Sequence, residues 1–234
     1  MNGDASNDHE RADARVALAC LDLTSLNDND DAAAIDALCR RAVTAHGAVA
    51  AVCVWPRFVA QSRAALPRQV AVAAVANFPQ GALDEQRALA DTQTIVDAGG
   101  EEIDLVLPWR AMQDGRHVDA ARLVAKVRHA SIGKRLKLII ESGELPSAQA
   151  IAQACNIGLD AGVDFLKTST GKTAHGASLA AAREMMSAIA AHRRGPAVGF
   201  KAAGGIRTVA DAAGYIRLAR QILVRCLTTD LEAL

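Results

Sequence analysis

The sequence predicts one α/β domain built as a (β/α)8, or TIM, barrel, and three observations carry that expectation. Short apolar runs alternate with segments of helical period, the pattern of βαβ units around a parallel sheet. Several of those runs hold one charge each, as strands lining a common mouth would. No Gly-x-Gly-x-x-Gly turn follows the first run, a signature that an open doubly wound sheet would more often carry. At 234 residues the chain has the length of one such barrel.

The strands are expected at Leu18–Thr24, Val49–Val54, Val70–Val75, Ile103–Leu107, Leu136–Glu141, Asp164–Thr168 and Ala197–Lys201. Between them the helical period is clearest over Asp30–His46, where Ile35, Leu38, Cys39, Ala42 and Val43 share a face. Leu83–Ala98 ends at a Gly-Gly pair, and Val118–Ala130 follows. Ser147–Ala161 has Pro146 at its start and Gly162 at its end. Ala177–His192 comes next, and Thr208–Ala219 opens on a Thr-x-x-Asp capping pattern. These are seven strands, so the eighth is either Ile222–Leu227 or absent, which would leave the barrel C-terminally incomplete. The polar, acidic opening predicts a disordered tail over residues 1–12 ahead of a single barrel domain over 13–234.

Composition narrows the function. Lys plus Arg equals Asp plus Glu at 26 each, so no global field draws nucleic acid or an anionic membrane. Aromatic residues make up 3% of the chain, which suits a base-stacking platform poorly. No apolar run approaches the ~20 residues needed to span a bilayer, and the opening residues are unlike a signal peptide. The five cysteines, Cys20, Cys39, Cys53, Cys155 and Cys226, are scattered without metal-ligand spacing. Reduced thiols in a cytoplasmic protein are the expectation. The histidines show no partner spacing and are read as solvated or capping residues, and Cys53 as a buried inert thiol.

The charges inside apolar runs carry the chemistry: Asp22, Asp104, Lys137, Lys167 and Lys201. A parallel barrel strand is buried on both faces, and a charge there costs several kcal/mol unless it is paired or used. One buried Lys–Asp pair is as readily structural as functional. Five such residues at similar strand positions favour function. A lysine beside a second lysine, partly desolvated, falls from ~10.4 toward ~7–8 and becomes a free amine. Such an amine forms an imine with a carbonyl, and the protonated imine is an electron sink for C–C cleavage. A separate signal suits phosphate. Thr168-Ser169-Thr170-Gly171-Lys172 and Ala203-Gly204-Gly205-Ile206-Arg207 each follow a strand, offering backbone N–H groups and a cation to an anion.

At these residues the sequence resembles the deoxyribose-phosphate aldolase family. The matching segments are LDLTSLND (21–28), AVCVWPRF (51–58), VANFPQG (75–81), EEIDLVLPWRAM (101–112), LKLIIESGEL (136–145), DFLKTSTGK (164–172) and VGFKAAGGIRT (198–208). They fall in order over roughly residues 15–210, and KTSTGK with FKxAGG is the most specific pair. The resemblance implies a lyase that cleaves 2-deoxy-D-ribose 5-phosphate to acetaldehyde and D-glyceraldehyde 3-phosphate in deoxyribonucleotide catabolism. By motif, Lys167 would form the Schiff base and Lys201 would be the ammonium that lowers its pKa. Asp104 would orient the water that carries the proton, and Asp22 and Lys137 would support that network. Thr24 and Asn27 would lie near the sugar, Thr170 would bind substrate, and Gly171, Lys172, Gly204, Gly205 and Arg207 would hold the 5-phosphate. No metal or organic cofactor is implied, and a homodimer is the assembly that analogy offers.

The departure lies after Thr208. The family continues with an eighth strand and a Gly-x-Ser-Ser-type turn that completes the phosphate site, and this chain has no such turn. Two alternatives to the working aldolase follow. One is a partial barrel with impaired or no catalysis that binds phosphate as a remnant. The other is a Schiff-base aldolase with relaxed phosphate dependence.

Overall fold

The apolar runs become short parallel strands whose residues are almost all covered, as strands under a layer of helices must be. The computed structural model describes residues 2–223, with side chains from residue 10 onward. The chain runs α1 (Asn2–Ala19), β1 (Asp22–Thr24), α2 (Ala32–Arg40), β2 (Val43–Thr44), β3 (Gly47–Ala48), β4 (Ala51–Val54), α3 (Val59–Ala65) and β5 (Ala71–Ala76). It continues through α4 (Glu85–Asp97), β6 (Glu102–Val106), α5 (Trp109–Gln113), α6 (His117–Ala130), β7 (Arg135–Ile139) and α7 (Ala148–Ala161). The last elements are β8 (Phe165–Lys167), α8 (Leu179–Ala191), β9 (Gly199–Lys201) and α9 (Val209–Ile222).

Seven strands form one sheet in the order β1-β4-β5-β6-β7-β8-β9, with every neighbour parallel. That sheet is curled. Lys137 on β7 reaches Asp22 on β1 at 3.0 Å, although three strands separate them in the sheet order. Such a pair forms only across the inside of a curved wall. The apolar faces of the helices cover the outside, with Ile95, Leu123, Leu159 and Ile189 fully or almost fully buried against the strands.

Local signals set the helix ends. Asp31, Asp84, Ser147 and Ser178 each accept the backbone N–H three residues on, satisfying a donor that the first helical turn leaves free. Thr208 and Asp211 form the expected reciprocal capping box. Gly162 ends α7 in the left-handed conformation, which a residue without Cβ adopts at no steric cost.

Three expectations are corrected. The tail expected to be disordered is instead covered by helix α1, which runs into the barrel and packs on α9. Asp13 on α1 is buried and takes the Arg220 guanidinium at 2.9 Å, a partner from the far end of the chain that sequence periodicity does not register. The first strand shortens to Asp22–Thr24 because α1 continues to Ala19. The helix expected over Asp30–His46 stops at Arg40, and Val43–Thr44 pairs with Gly47–Ala48 as an antiparallel hairpin. Val43 and Thr44 are β-branched and favour extended backbone. Of the two outcomes left open for the eighth strand, Ile222 belongs to helix α9, and the rest of Ile222–Leu227 beyond Leu223 lies outside the described residues. Among the described residues β9 and β1 are the two unpaired edges.

Candidate active site

Register brings the charged residues together. In a strand, residues two apart share a face, so Glu102 and Asp104 on β6 point the same way. Parallel pairing sets Glu102 beside Arg135, Asp104 beside Lys137 and Lys167 beside Lys201. Lys137 sits at the centre. Its Nζ lies 2.6 Å from Glu102 Oε2, 3.0 Å from Asp22 Oδ2 and 3.0 Å from Asp104 Oδ1. The other Asp104 oxygen accepts from Lys167 Nζ at 2.5 Å. Lys201 Nζ stands 3.9 Å from Asp22 Oδ2, so three ammonium groups face three carboxylates.

Exposure rises along this set. The Asp104 side chain is 0% exposed, Lys137 3%, Lys167 8% and Lys201 19%. Lys167 and Lys201 are the last residues of their strands, so the cluster opens toward the C-terminal ends of the sheet, where barrel sites lie. The sequence had singled out Asp22, Asp104, Lys137, Lys167 and Lys201, and the fold assembles all five. It adds Glu102, which sequence reading missed. The signal was present two residues before Asp104, on the same face of the strand.

The electrostatics differ from expectation at one point. Burial alone would lower the Lys167 pKa, but the charge and hydrogen bond of the adjoining Asp104 carboxylate, with Cys53 beside it, together overcome that, and the amine is held above its ordinary value. Lys137 is treated the same way: desolvation is overcome by Asp104, Asp22 and Glu102, and its pKa stands well above normal. Asp104 is correspondingly low, since Lys137 and Lys167 overcome the opposing effect of its complete burial. The ammonium that opposes Asp104 at Lys167 is Lys137, and the expected lowering by Lys201 does not set the balance. A carboxylate at 2.5 Å favours the charged amine both by its charge and by accepting its hydrogen bond. Cys53 lies 3.9 Å from Asp104, and burial with that neighbouring charge pushes its thiol up to about 12. It is the inert thiol the sequence predicts.

The rim residues are arranged by their loops. Gly171, Gly204 and Gly205 all have φ between 75° and 87°, a region open to glycine at little cost. A Cβ on Gly204 would also come within 3.0 Å of the Gly176 backbone. Thr168 Oγ1 donates to the Ala203 carbonyl and accepts from its N–H, tying the two loops together. Lys172 Nζ donates to the Leu26 carbonyl at 2.8 Å, and Thr170 Oγ1 donates to Glu141 at 2.7 Å. Arg207 is exposed, and its backbone N–H goes to Asp211. On the other side of the mouth, Thr24 Oγ1 donates to the Asp22 carbonyl. The Asn27 side-chain amide donates to Ser25 and Asp30, while the Asn27 backbone carbonyl accepts from Trp55 Nε1 at 3.1 Å. The glycine-rich loops thus adopt open, tightly apposed backbone. Of the polar side chains expected at the substrate, those of Thr24, Asn27, Thr170 and Lys172 are engaged with the protein itself.

A curled parallel sheet with a lysine–carboxylate cluster inside its open end defines a β/α-barrel protein with its polar site in the mouth. Residues 16–220 match the model of the DeoC/LacD family aldolases, and the chain belongs to that family. It is 44% identical over 216 residues to a deoxyribose-phosphate aldolase of Agrobacterium fabrum, covering 91% of this chain and 83% of that protein. Among solved structures, a provisionally named deoxyribose-phosphate aldolase from Coccidioides immitis superposes with a TM-score of 0.79 at 26% identity. That match covers 93% of this chain and 91% of the other. A tetrameric deoxyribose-phosphate aldolase from Aeropyrum pernix shares the fold at TM-score 0.74 and 23% identity, over 91% and 90% of the two chains.

Proposed function

We propose that this aldolase cleaves 2-deoxy-D-ribose 5-phosphate reversibly to acetaldehyde and D-glyceraldehyde 3-phosphate through a Schiff base on Lys167. The observation that carries this reading is the placement of Lys167. Its amine ends a barrel strand, is almost wholly buried, and touches a carboxylate at 2.5 Å.

The resting Lys167–Asp104 pair must first release its proton, because only the neutral amine is a nucleophile. Lys201, the register neighbour of Lys167, supplies a positive charge that favours the neutral form as substrate enters. The amine then attacks C1 of the open-chain sugar, and loss of water leaves a protonated imine. A base takes the C3 hydroxyl proton, the C2–C3 bond breaks, and its electron pair passes through C2 to the imine nitrogen. C3 departs as the aldehyde of glyceraldehyde 3-phosphate. The remaining enamine takes a proton at C2 from a water oriented by Asp104, and hydrolysis frees acetaldehyde and the amine. Lys137, held by Asp22 and Glu102, fixes Asp104 in place. The lysine is itself the electron sink, so the reaction as written needs no metal or organic cofactor.

The loops at 170–172 and 204–207 would hold the 5-phosphate with backbone N–H groups and the charges of Lys172 and Arg207, after Lys172 leaves Leu26. Thr24 and Asn27 border the sugar end. The remnant reading loses ground because the lysine–carboxylate cluster is assembled within the described residues. No described helix is long and apolar enough to cross a membrane. We place the protein in the cytoplasm, where Cys39, Cys53 and Cys155 would stay free thiols as they are here, and as a homodimer, which light scattering would check.

The test is borohydride reduction of the protein with acetaldehyde, followed by peptide mapping. An adduct on Lys167 is expected. A soluble, folded protein without that adduct would overturn the proposal.

A further inference from the structure

The mechanism leaves unused a buried charge that has no ion-pair partner among the described residues, Glu141. Glu141 is 0% exposed and has φ of 51°, a left-handed backbone that a residue with a side chain rarely adopts. A buried carboxylate without a counter-charge is costly unless its hydrogen bonds are needed, and backbone outliers of this kind concentrate at functional sites.

Its position explains the geometry. Just past the end of β7, the Ile140 N–H donates to Lys167 O at 3.0 Å, and the Ser142 N–H donates to Thr168 O at 2.8 Å. Two steps along the β7 side therefore match one step along the β8 side, which is a bulge with Glu141 as the extra residue. Bulges re-aim a side chain and are common beside active sites. Here the Glu141 carboxylate turns to the loop after β8. It accepts the Thr170 N–H at 3.2 and 3.3 Å, Thr170 Oγ1 at 2.7 Å and Thr173 Oγ1 at 3.3 Å. Thr170 Oγ1 in turn accepts the Lys172 N–H at 3.1 Å. A chain of bonds thus runs from Glu141 through Thr170 to Lys172, across the left-handed Gly171.

We propose that Glu141 is a positioning residue for phosphate recognition: its carboxylate holds the 170–173 loop in the shape that presents backbone N–H groups and Lys172 to the 5-phosphate. It does so without touching the ligand. A carboxylate against a phosphate dianion would repel it, whereas one saturated by threonine donors shapes the loop from behind. This deepens the aldolase reading and rests on it. It also changes the part played by Thr170, whose hydroxyl proton is committed to Glu141.

The experiment compares Glu141→Gln with wild type on 2-deoxyribose 5-phosphate and on unphosphorylated 2-deoxyribose. The amide keeps the size but gives up one acceptor oxygen. KM for the phosphorylated sugar should rise on the order of tenfold with kcat little changed, while turnover of the free sugar and borohydride trapping at Lys167 stay as in wild type. Thr170→Val should raise the same KM, and Thr170→Ser should restore it. An unchanged KM, or an equal loss on both sugars, would overturn the proposal. Should Glu141→Gln fail to fold, the Thr170 pair decides alone. If wild type gives no Lys167 adduct, the aldolase reading falls and inorganic phosphate carries the test. Phosphate affinity weakened by the substitution, with faster amide exchange at Thr170, would then support the positioning role. Unchanged affinity, or no phosphate binding by wild type, would sink it.

Discussion

From β4 to β9 each strand of the sheet is locked to its neighbour by a parallel ladder, whereas β9 and β1 face each other with only side chains between them among the described residues. The ladder sets Lys137 beside Asp104 at 3.0 Å, and Lys167, one strand further along, reaches the same carboxylate at 2.5 Å. Across the open seam the charges of the two edge strands themselves, Lys201 and Asp22, stand 3.9 Å apart. The seam is otherwise bridged by the long reach of Lys172 to Leu26 and by the packing of α1 on α9 through Asp13 and Arg220. Backbone pairing places a side chain through rigid geometry. A seam held by flexible side chains has to order them at an entropic cost. The interior cluster should therefore be the robust half of the site, and the seam the tunable one.

The largest expected effect tests the ladder side. Lys167→Ala should lower aldol cleavage on the order of 10⁴-fold or more, since removing a covalent nucleophile abolishes the intermediate. The fold should survive, and a cleavage assay on protein with wild-type circular dichroism reads it. Retained activity would break the assignment.

Lys137→Met should cost about 3–5 kcal/mol in urea unfolding, because it leaves Asp22, Glu102 and Asp104 facing one another without their shared cation. Titration sharpens this. Asp104 is held low by Lys137 and Lys167 against its burial. Its stabilisation is complete above about pH 4 and lost as pH falls through the folded value. Lys137 and Lys167 are held high by their carboxylates against desolvation. Theirs is complete below about pH 10 and lost as pH rises through the folded values. Wild type should show a plateau of stability between those limits. The deficit of Lys137→Met should shrink on acidification, as protonation relieves the crowded carboxylates. A pH-independent deficit would mean that packing, not charge, holds the cluster.

On the seam, Asp13→Ala should cost about 1–2 kcal/mol, the range of a charged hydrogen bond that is partly exposed at one end. Limited proteolysis should then cut nearer α1. A loss as large as that of Lys137→Met would erase the contrast between the two regions. The smallest effect belongs to Lys201→Leu, which should move the rising limb of the pH–rate profile up by about one unit. No shift would show that the seam lysine does not tune the amine.

Legibility follows the same division. Asp22, Asp104, Lys137, Lys167 and Lys201 stood out because a charge in a doubly buried strand is conspicuous, and the strands held to within a few residues. Glu102 was overlooked although it precedes Asp104 by two residues, because it falls at a strand boundary where burial cannot be read from pattern. Helix α1 was missed because its polar composition resembles a tail, and only the distant Arg220 gives Asp13 a partner. Glu141 carried no local sign, since a bulge depends on how two ladders run past each other. The direction of the Lys167 shift was also unreadable. Similar strand positions put the charges at one mouth but do not say which two of them lie 2.5 Å apart.

The sequence by itself determined the alternation of strands and helices, their caps, and the inventory of interior charges, because these depend on periodicity and on residues a few positions apart. Tertiary structure alone decided that the sheet curls until Lys137 meets Asp22, that Asp104 sits between two lysines, and that Glu141 turns back onto the phosphate loop. Those outcomes depend on strand register and on distances between residues far apart in the chain. Electrostatic and hydrogen-bond energies change steeply over an ångström, so the fold's geometry, and not the residue list, sets the state of the site.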